Sequence, residues 1–285
     1  MQNKNTGLVM EGGAMRGMFT CGVIDVLMQN NIEFPCVVGV SAGSAFGCNY
    51  KSKQIGRAIR YNCALAGNKN YCSLRSWIKT GNLFNAEFGY NTLPFKIDLF
   101  DTETFTSNPM EFYCVATDLN TGKPLYYKFT NGKDKDLLYM RASASMPLAS
   151  RPVKVDGYTL LDGGMSDSIP LEFMQSKGYK KNVVILTQPR GFVKKRNSLI
   201  PLMKIALHKY PEVIKAMQNR HIMYNNETQH VFEEEKKGNV FVICPPAPLN
   251  ISAMPKDIDE LRRVYNTGVS VMQQQLSALV DFLKE

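Results

Sequence analysis

Short apolar runs alternate along this chain with longer segments whose apolar residues recur at helical spacing. The runs are rich in β-branched residues and too short for helices, so we interpret them as strands buried in a sheet. They comprise residues 6–10, 36–40, 111–117, 125–129, 181–187 and 241–244. Strands that alternate with helices are typical of an α/β domain.

Helical spacing predicts a helix that ends at residues 30–31 and further helices over 51–66, 136–144, 199–220 and 257–285. The last of these carries one apolar stripe along its whole length. Two short runs that flank Asp156-Gly157 predict a β-hairpin.

Residues 71–90 mix aromatic residues with Gly and Asn, and we interpret them as a loop-rich segment with short helices. Surface packing is the favoured role of this segment, and a position beside the functional site is the alternative.

The first two strands and the helix between them form a strand–helix–strand unit. Such a unit makes the strands parallel and adjacent, with a right-handed crossover. The loops that follow the two strands then emerge at the same carboxyl edge of the sheet, where α/β proteins bind ligands. We predict an α/β domain over residues 6–187 and a mostly helical extension over residues 188–285 that packs on it.

The composition is that of an ordinary globular protein, with 285 residues, 44% hydrophobic and 21% charged. The amino-terminal residues lack the apolar core of a signal peptide, and no apolar run approaches the ~20 residues that span a bilayer. The seven cysteines are scattered without a Cys-x-x-Cys pair, so we predict neither disulfides nor a metal site. We therefore expect a cytoplasmic protein without a metal.

The formal net charge is +9. We interpret this excess of positive charge first as a contribution to solubility, and second as attraction to an anionic membrane surface. Residues 190–196 are basic with one aromatic residue, which suits contact with lipid headgroups, although a solvated loop is the commoner role of such a run. No nucleic-acid-binding motif accompanies the charge, so we expect no nucleic-acid partner.

The strand at residues 36–40 runs directly into the motif Gly39-Val40-Ser41-Ala42-Gly43. A Gly-x-Ser-x-Gly motif between a strand and a helix is typical of a nucleophile elbow, which holds a serine at a sharp turn. Gly39 and Gly43 carry no Cβ, so the strand and helix backbones can approach each other. The motif predicts Ser41 as a nucleophile.

A second glycine-rich loop, residues 11–17, follows the first strand. It does not fit a dinucleotide fingerprint, because Ala14 stands where a glycine is needed, and it lacks the Gly-Lys-Ser/Thr ending of a phosphate loop. Beside a serine nucleophile, its backbone N–H groups at Gly12, Gly13 and Ala14 are suited to an oxyanion hole, to which the amide of Ala42 would add. The alternative interpretation is a tight turn without chemistry.

A serine hydroxyl needs a base, and two arrangements are open. A Ser-Asp-His order is available, although the elbow comes earlier than in α/β-hydrolases and each histidine lies within a helical pattern. The three histidines are His208, His221 and His230. Alternatively Asp162, at the end of the hairpin and followed by two glycines, contacts Ser41 directly. A free aspartate, with a pKa of about 3.9, is a weak base, so such a dyad needs a strongly stabilised oxyanion.

Three motifs in this order resemble the signatures of the patatin-like phospholipases: residues 11–17, 39–43 and 162–164. Residues 141–147 also resemble the helix that precedes the family's dyad aspartate. In the family's Gly-Gly-Gly-x-Arg/Lys-Gly motif, Ala14 replaces the third glycine. An alanine keeps its N–H, so the oxyanion hole survives unless the position needs a positive φ.

This resemblance implies a three-layer α/β/α fold with a mainly parallel sheet and a helical carboxyl-terminal extension, as in bacterial cytosolic members. It makes residues 6–187 the catalytic domain. It implies Ser41 as the nucleophile and Asp162 as its partner. The residues that it places at the oxyanion loop are Gly12, Gly13, Ala14 and Arg16.

The resemblance implies a serine hydrolase of lipid acyl esters, of phospholipase or lysophospholipase type, that works through an acyl-serine without a cofactor. Two alternatives stay open. An acyltransferase would pass the same acyl group to an alcohol or thiol, and a catalytically silent lipid-binding protein would need only the pocket. A nucleotide-binding protein is the least favoured interpretation.

Overall fold

A computed structural model describes residues 5–254 and 256–285. Within them the strands form one eight-stranded mixed sheet. The strands are β1 (Thr6–Met10), β2 (Cys36–Val40), β3 (Glu111–Asp118), β4 (Pro124–Lys128), β5 (Val153–Val155), β6 (Tyr158–Asp162), β7 (Lys181–Ile185) and β8 (Val240–Ile243). The helices are α1 (Gly17–Gln29), α2 (Ala42–Ala45), α3 (Cys48–Lys51), α4 (Arg57–Ala64), α5 (Leu74–Thr80), α6 (Thr102–Ser107), α7 (Lys135–Ser143), α8 (Leu171–Ser176), α9 (Ile200–Ala206), α10 (Pro211–Lys236) and α11 (Ile258–Lys284).

The central part of the sheet is parallel, with the strands in the order β8, β7, β1, β2, β3. Strands β4 and β6 pair antiparallel with β3, and β5 pairs antiparallel with β6. Met10 at the end of β1 lies opposite Gly39 in β2. The loops after these two strands therefore leave the same edge of the sheet, as the strand–helix–strand pattern predicts.

Helices cover both faces of the sheet. Successive residues of a strand point to opposite faces, so Leu8 joins the core under α1 and α11, whereas Val9 joins the core under α8 and α10. The first core includes Phe19 of α1 and Met272 of α11, and the second includes Tyr224 of α10. The predicted three-layer α/β/α architecture is confirmed.

The residues after 187 contribute to the sheet and to both helical layers. Strand β8 extends the sheet beside β7, and α11 packs on α1, where the Tyr265 hydroxyl donates to Asp25 Oδ2 at 2.7 Å. The boundary of the two predicted units at residue 187 stays a prediction. None of the described helices is long and apolar enough to cross a bilayer.

Two predicted helices are interrupted. The segment 51–66 contains a turn at Gly56, whose φ of 72° is left-handed, so that α4 begins only at Arg57. The segment 199–220 breaks after Ala206, and Pro211 begins α10, where its missing N–H costs nothing. Hydrophobic spacing continues through both breaks, which is why the pattern alone joined the helices.

Candidate active site

Ser41 stands between the last residue of β2 and the first residue of α2. Its φ of 54° and ψ of −117° lie outside the regions that an L-residue favours. A Cβ on Gly39 would overlap the backbone of Gly43, and a Cβ on Gly43 would overlap Met10. Both glycines are therefore required by the close approach of strand and helix, as the elbow motif predicts.

The backbone N–H of Ser41 is already occupied, because it donates to Ser143 Oγ at 3.0 Å. Ser143 ends α7, so this bond ties the elbow to the helix that precedes the β5–β6 hairpin. The Ser41 side chain is only 8% exposed and opens into two cavities.

The glycine-rich loop lies against the elbow. A Cβ on Gly12 would lie 2.8 Å from Val40 O and 2.9 Å from the Ser41 Cβ, so only glycine fits between the loop and the elbow. Within residues 5–254 and 256–285, no protein acceptor is found for the backbone N–H groups of Gly12, Gly13, Ala14 and Ala42. These are the groups that the sequence assigns to an oxyanion hole.

Ala14 adopts a φ of 48°, in the left-handed region. The third position of the glycine motif therefore does need a positive φ. The loop nevertheless keeps its conformation and its N–H, at a cost of about 1–2 kcal/mol for an L-residue. Arg16, at the end of the loop, carries its guanidinium beside Gly13, and its Nε is buried without a partner among the described residues.

Strand register brings Asp162 to the elbow. One edge of β3 is taken by β4, and β2 pairs along the other edge as far as Val115, opposite Val40. Strand β6 then occupies this same edge and places Asp162 opposite Ala116. The carboxylate that ends β6 therefore lies next to the serine that follows β2.

Asp162 is buried, with 6% of the residue exposed, and its Oδ1 accepts from the Gly164 N–H at 2.8 Å. Burial raises the pKa of Asp162 above its ordinary value, whereas the hydrogen bond from the Ser41 hydroxyl, the charge of Arg220 and the Gly164 N–H lower it. Since burial is the largest of these effects, the carboxylate is a stronger base here than in water.

None of the three histidines lines either of the two cavities that Ser41 opens into. His208 lies after α9 with Nδ1 at 3.1 Å from Ile205 O, and His230 Nε2 lies 3.0 Å from Gln175 Oε1. His221 lies on α10 with a buried, unpartnered Nδ1. Of the candidate partners named from the sequence, Asp162 forms a hydrogen bond with Ser41, and the three histidines lie outside both cavities.

One of the two cavities beside Ser41 is apolar and has a volume of about 1040 Å³, including the part that is open to solvent. Its lining includes Phe46, Tyr61, Tyr71, Phe84, Leu93 and Phe100. For residues 71–90 the favoured role, surface packing, is wrong and the alternative holds, because Tyr71 and Phe84 stack edge to face and line the cavity. The hydrophobic pattern of that segment was too irregular to decide between the two.

The second cavity has a volume of about 1120 Å³ and shares Ala14, Ser41 and Met146 with the first. We call it the polar cavity because charged side chains line it together with apolar ones. Its lining includes Arg16, Lys194, Asn197, Arg220 and Tyr224. The sequence marked Lys194 only as a member of the basic run 190–196, and it gave no signal for Arg220, which lies in the middle of a long helix. Neither residue could be assigned to the site, because both reach it from elements that are distant in the chain.

Helix α10 holds the loop that carries Asp162. Arg220 Nε and Ser168 Oγ both donate to Gly164 O. Farther along the helix, Glu227 accepts from the backbone N–H groups of Ser168 and Ile169 at 3.1 Å. The helix thereby limits the positions that the loop after Asp162 can adopt. No group of three or more His, Cys, Asp or Glu side chains suited to a metal ion occurs in the described part of the chain.

The family model described as "Patatin-like phospholipase" matches residues 8–174, and a second model, "Domain of unknown function (DUF6363)", matches residues 210–284. The "Uncharacterized protein YjjU" of Escherichia coli is 30% identical to this chain over 287 residues, which cover 92% of the chain and 74% of that protein. "Lysophospholipase nte1" of Aspergillus oryzae is 27% identical over 61% of this chain, which spans only 11% of that protein.

Among solved structures, VipD from Legionella pneumophila aligns with 96% of this chain and 67% of its own, at a TM-score of 0.48 and 12% identity. Human GIVD cytosolic phospholipase A2 aligns with 99% of this chain and 59% of its own, at a TM-score of 0.49 and 11% identity.

Proposed function

This chain belongs to the patatin-like phospholipase family, and on that premise we propose that it hydrolyses carboxylic esters of lipids through an acyl-serine. The observation that carries the proposal is the contact of Ser41 with Asp162 in the lining of an apolar cavity. Beside it lie backbone N–H groups for which the described residues offer no acceptor. The apolar cavity is suited to an acyl chain. The similarity to a lysophospholipase supports an ester of this class as the substrate.

In the first half of the reaction, Ser41 Oγ attacks the ester carbonyl carbon while its proton passes to Asp162. The oxyanion that forms accepts hydrogen bonds from the N–H groups of Gly12, Gly13, Ala14 and Ala42. The carbon–oxygen bond to the alcohol then breaks, and the alcohol leaves with the proton held by Asp162.

In the second half, a water molecule attacks the acyl-serine and gives one proton to Asp162. Collapse of the second oxyanion releases the carboxylic acid, and the proton returns to Ser41 Oγ. The raised pKa of Asp162 suits both transfers, since a base is most effective when its pKa approaches the working pH.

Hydrolysis of a p-nitrophenyl acyl ester tests the assignment. We expect Ser41→Ala and Asp162→Asn each to lower kcat by about 10³-fold or more. The nucleophile and its base act together, so the loss of either one prevents attack on the ester. His208→Ala, an exposed histidine on the same chain, is expected to retain wild-type activity. A fluorophosphonate probe is expected to label the wild type and not Ser41→Ala.

Two outcomes would contradict the assignment. Loss of activity in a folded histidine variant would indicate a triad. Failure of the probe to label the folded wild-type protein would favour a lipid-binding protein without catalysis.

A lipid surface is the proposed source of the substrate. Helix α9 buries Ile200 and Met203 but exposes Leu202 and Ile205, which are 51% and 73% exposed. Leu199, on the same stripe, also lines the polar cavity beside Ser41. Exposed basic residues adjoin this stripe in the chain: Lys195, Arg196 and Lys204. An apolar stripe flanked by cations is typical of a surface that contacts anionic lipid.

A further inference from the structure

A charged side chain stands in the wall of the apolar cavity that Ser41 opens into. Arg57, the first residue of α4, lines this cavity and is only 4% exposed. Its guanidinium packs against two rings of the same lining, at 5.3 Å from the centroid of Tyr61 and 5.3 Å from that of Phe100. These three residues are buried, whereas Asn85 of the same lining is half-buried. The cation therefore lies at the enclosed side of the cavity.

Contacts with the protein use only part of the hydrogen-bonding capacity of Arg57. Its Nη1 donates to Asn49 Oδ1 at 3.0 Å, and its Nε and Nη2 donate to Asp98 O at 3.2 Å and 2.6 Å. A guanidinium has five N–H groups. Two of them therefore remain, and residues 5–254 and 256–285 offer no acceptor for either.

The carboxylate nearest to Arg57 is shared with a second arginine. Arg60 binds Asp98 with both branches of its guanidinium, through Nε at 2.7 Å and Nη2 at 2.8 Å. Arg57 Nε lies farther from this carboxylate, at 3.3 Å from Oδ1. The Arg60 side chain is 58% exposed and is not part of the cavity lining. A carboxylate from a ligand would meet Asp98 as well as Arg57, so a neutral oxygen suits this position better than an anion.

The hydroxyl of Tyr61, beside Arg57, has no hydrogen-bond partner among the described residues. Burial raises the pKa of Tyr61 far above its ordinary value, so the hydroxyl keeps its proton and can donate or accept. Tyr71, in the same lining, differs in this respect, because its hydroxyl donates to Asn62 Oδ1 at 3.2 Å. The enclosed side of the cavity thus presents three polar hydrogens that the protein itself leaves available, two from Arg57 and one from Tyr61.

These donors affect which acyl chain the cavity favours. A chain of methylene groups alone would displace water from Arg57 and Tyr61 and would leave their polar hydrogens without partners, which is unfavourable. An oxygen on the chain would accept from both side chains and would restore the hydrogen bonds. In a wholly apolar cavity the order is reversed, because a hydroxyl then leaves water without gaining a partner.

We infer that the apolar cavity selects acyl chains that carry a neutral oxygen, as a hydroxyl or a carbonyl, at the point of the chain that reaches Arg57 and Tyr61. This inference rests on the proposed function, and it adds the class of acyl group: an oxygenated chain is preferred to a plain one.

The experiment compares kcat/KM for p-nitrophenyl esters of ω-hydroxy fatty acids with kcat/KM for the unsubstituted esters of equal length. The esters form a series of chain lengths and are used as monomers in solution. We expect the ω-hydroxy ester to be preferred by about fivefold or more at one length, as for a hydrogen bond to a charged group. At shorter lengths the unsubstituted ester is expected to be preferred, since the hydroxyl does not reach Arg57.

Two patterns would overturn the inference. One is a preference for the unsubstituted ester at every length. The other is a stronger preference for ω-carboxy esters than for ω-hydroxy esters, which would make Arg57 a site for an anion.

Tyr61→Phe tests the hydroxyl without changing the ring. We expect it to lower the preference for the ω-hydroxy ester by about threefold, because one of the donors is lost. Tyr71→Phe is the matched control, since it removes a hydroxyl from the same lining that already has a protein partner. It is expected to keep the wild-type ratio of the two esters. An equal fall of the ratio in both variants would mean that loosening of the cavity wall, and not a contact with the chain, sets the preference.

Arg57→Met is expected to abolish the preference. Arg60→Met is its control, because it also removes a guanidinium from Asp98 but lies outside the cavity lining. Retention of the preference in folded Arg57→Met, or its loss in Arg60→Met, would contradict the assignment of Arg57. If Arg57→Met does not fold, the comparison of Tyr61→Phe with Tyr71→Phe decides.

Binding provides a measurement that does not depend on turnover. Calorimetry on Ser41→Ala compares the free ω-hydroxy acid with the unsubstituted acid at the length that the kinetics select, or across the series if no ester reacts. We expect the hydroxy acid to bind more tightly by a factor similar to that in kcat/KM, and the difference to shrink when Tyr61→Phe is added.

The outcomes separate this inference from the proposed function. Hydrolysis of both esters without a preference at any length overturns the inference and leaves the proposed function intact. If the folded wild type hydrolyses neither ester although Ser41→Ala binds the hydroxy acid more tightly, the proposed function alone is overturned. Absence of both hydrolysis and preferential binding overturns both.

Discussion

Two residues, one in the glycine-rich loop and one in the elbow, hold backbone conformations that an L-residue rarely adopts. Ser41 has a φ of 54° and Ala14 a φ of 48°. Strain of this kind persists only where surrounding contacts impose it, and it is commonest at functional sites. At Ser41 the strain lifts the hydroxyl out of the strand toward Asp162. At Ala14 it turns the glycine-rich loop beside the elbow.

We therefore predict that Ala14→Gly stabilises the protein. Glycine populates the left-handed region without the Cβ penalty, and this gain exceeds the entropy that it adds to the unfolded chain, so the net gain is about 1 kcal/mol. The free energy of unfolding in urea measures the change. Ester hydrolysis is expected to be retained, because the N–H of residue 14 is unchanged.

The control is the same substitution where the backbone is helical. Ala278 is exposed on α11, and Ala278→Gly is expected to destabilise the protein by about 1 kcal/mol. If both variants lose stability, the backbone at residue 14 is not strained and this explanation is wrong.

At the scale of elements, α10 connects the carboxyl-terminal part of the chain to the loop after Asp162. The contact includes two carboxyl groups, because Glu227 forms a hydrogen bond with Asp167. The Oδ2 atom of Asp167 also accepts a hydrogen bond from the Tyr126 hydroxyl at 2.6 Å. Burial and the charge of Asp167 raise the pKa of Glu227 to about 9. Burial raises the pKa of Asp167 as well, so the two carboxyl groups share a proton at neutral pH in a hydrogen bond between Glu227 and Asp167.

The proton makes stability depend on pH. Between the ordinary pKa of a glutamate and about 9, the folded protein binds a proton that the unfolded chain does not, so this group's contribution to stability falls as pH rises through that window. Glu227→Gln mimics the protonated side chain without titrating. We therefore predict that the variant gains stability relative to the wild type between pH 5 and pH 9, as measured by Tm.

Glu233, exposed on the same helix, provides the matched control. Glu233→Gln is expected to follow the wild type across the whole pH range. A constant loss of stability in Glu227→Gln at every pH would mean that Glu227 is ionised in the folded protein.

At the scale of the whole molecule, Ser41 lies between two cavities that are lined by different side chains and by different parts of the chain. The apolar cavity is enclosed by residues from α2 through α7, whereas the polar cavity is closed by the loop after β7, α9 and α10. The exposed stripe of α9 adjoins the polar cavity through Leu199. A protein seated on lipid through this stripe would present the mouth of its site to the surface that holds the substrate.

We predict that the protein binds vesicles that contain an anionic phospholipid and that binding weakens as salt rises, because exposed cations contribute to it. Leu202→Gln combined with Ile205→Gln is expected to lower the partition coefficient several-fold in a co-sedimentation assay, since it removes the apolar part of the contact. Ile222→Gln, at an exposed isoleucine of α10, is the control. Equal binding by the double variant would place the contact elsewhere.

The sequence alone determined the local structure of this protein. Strands, the hairpin at residues 156–157, the elbow around Ser41 and the two glycine turns are each encoded within a few residues by hydrophobic period and by the space that glycine leaves. Their order along the chain was also enough to indicate the family and the α/β/α fold.

Only the tertiary structure decided which distant side chains meet. The sequence left Asp162 and three histidines open as partners of Ser41, and the shared edge of β3 brings the aspartate there. Lys194 and Arg220 reach the cavity from elements more than 150 residues after the elbow. Such contacts depend on strand register and on how the layers stack, and no short stretch of sequence encodes either.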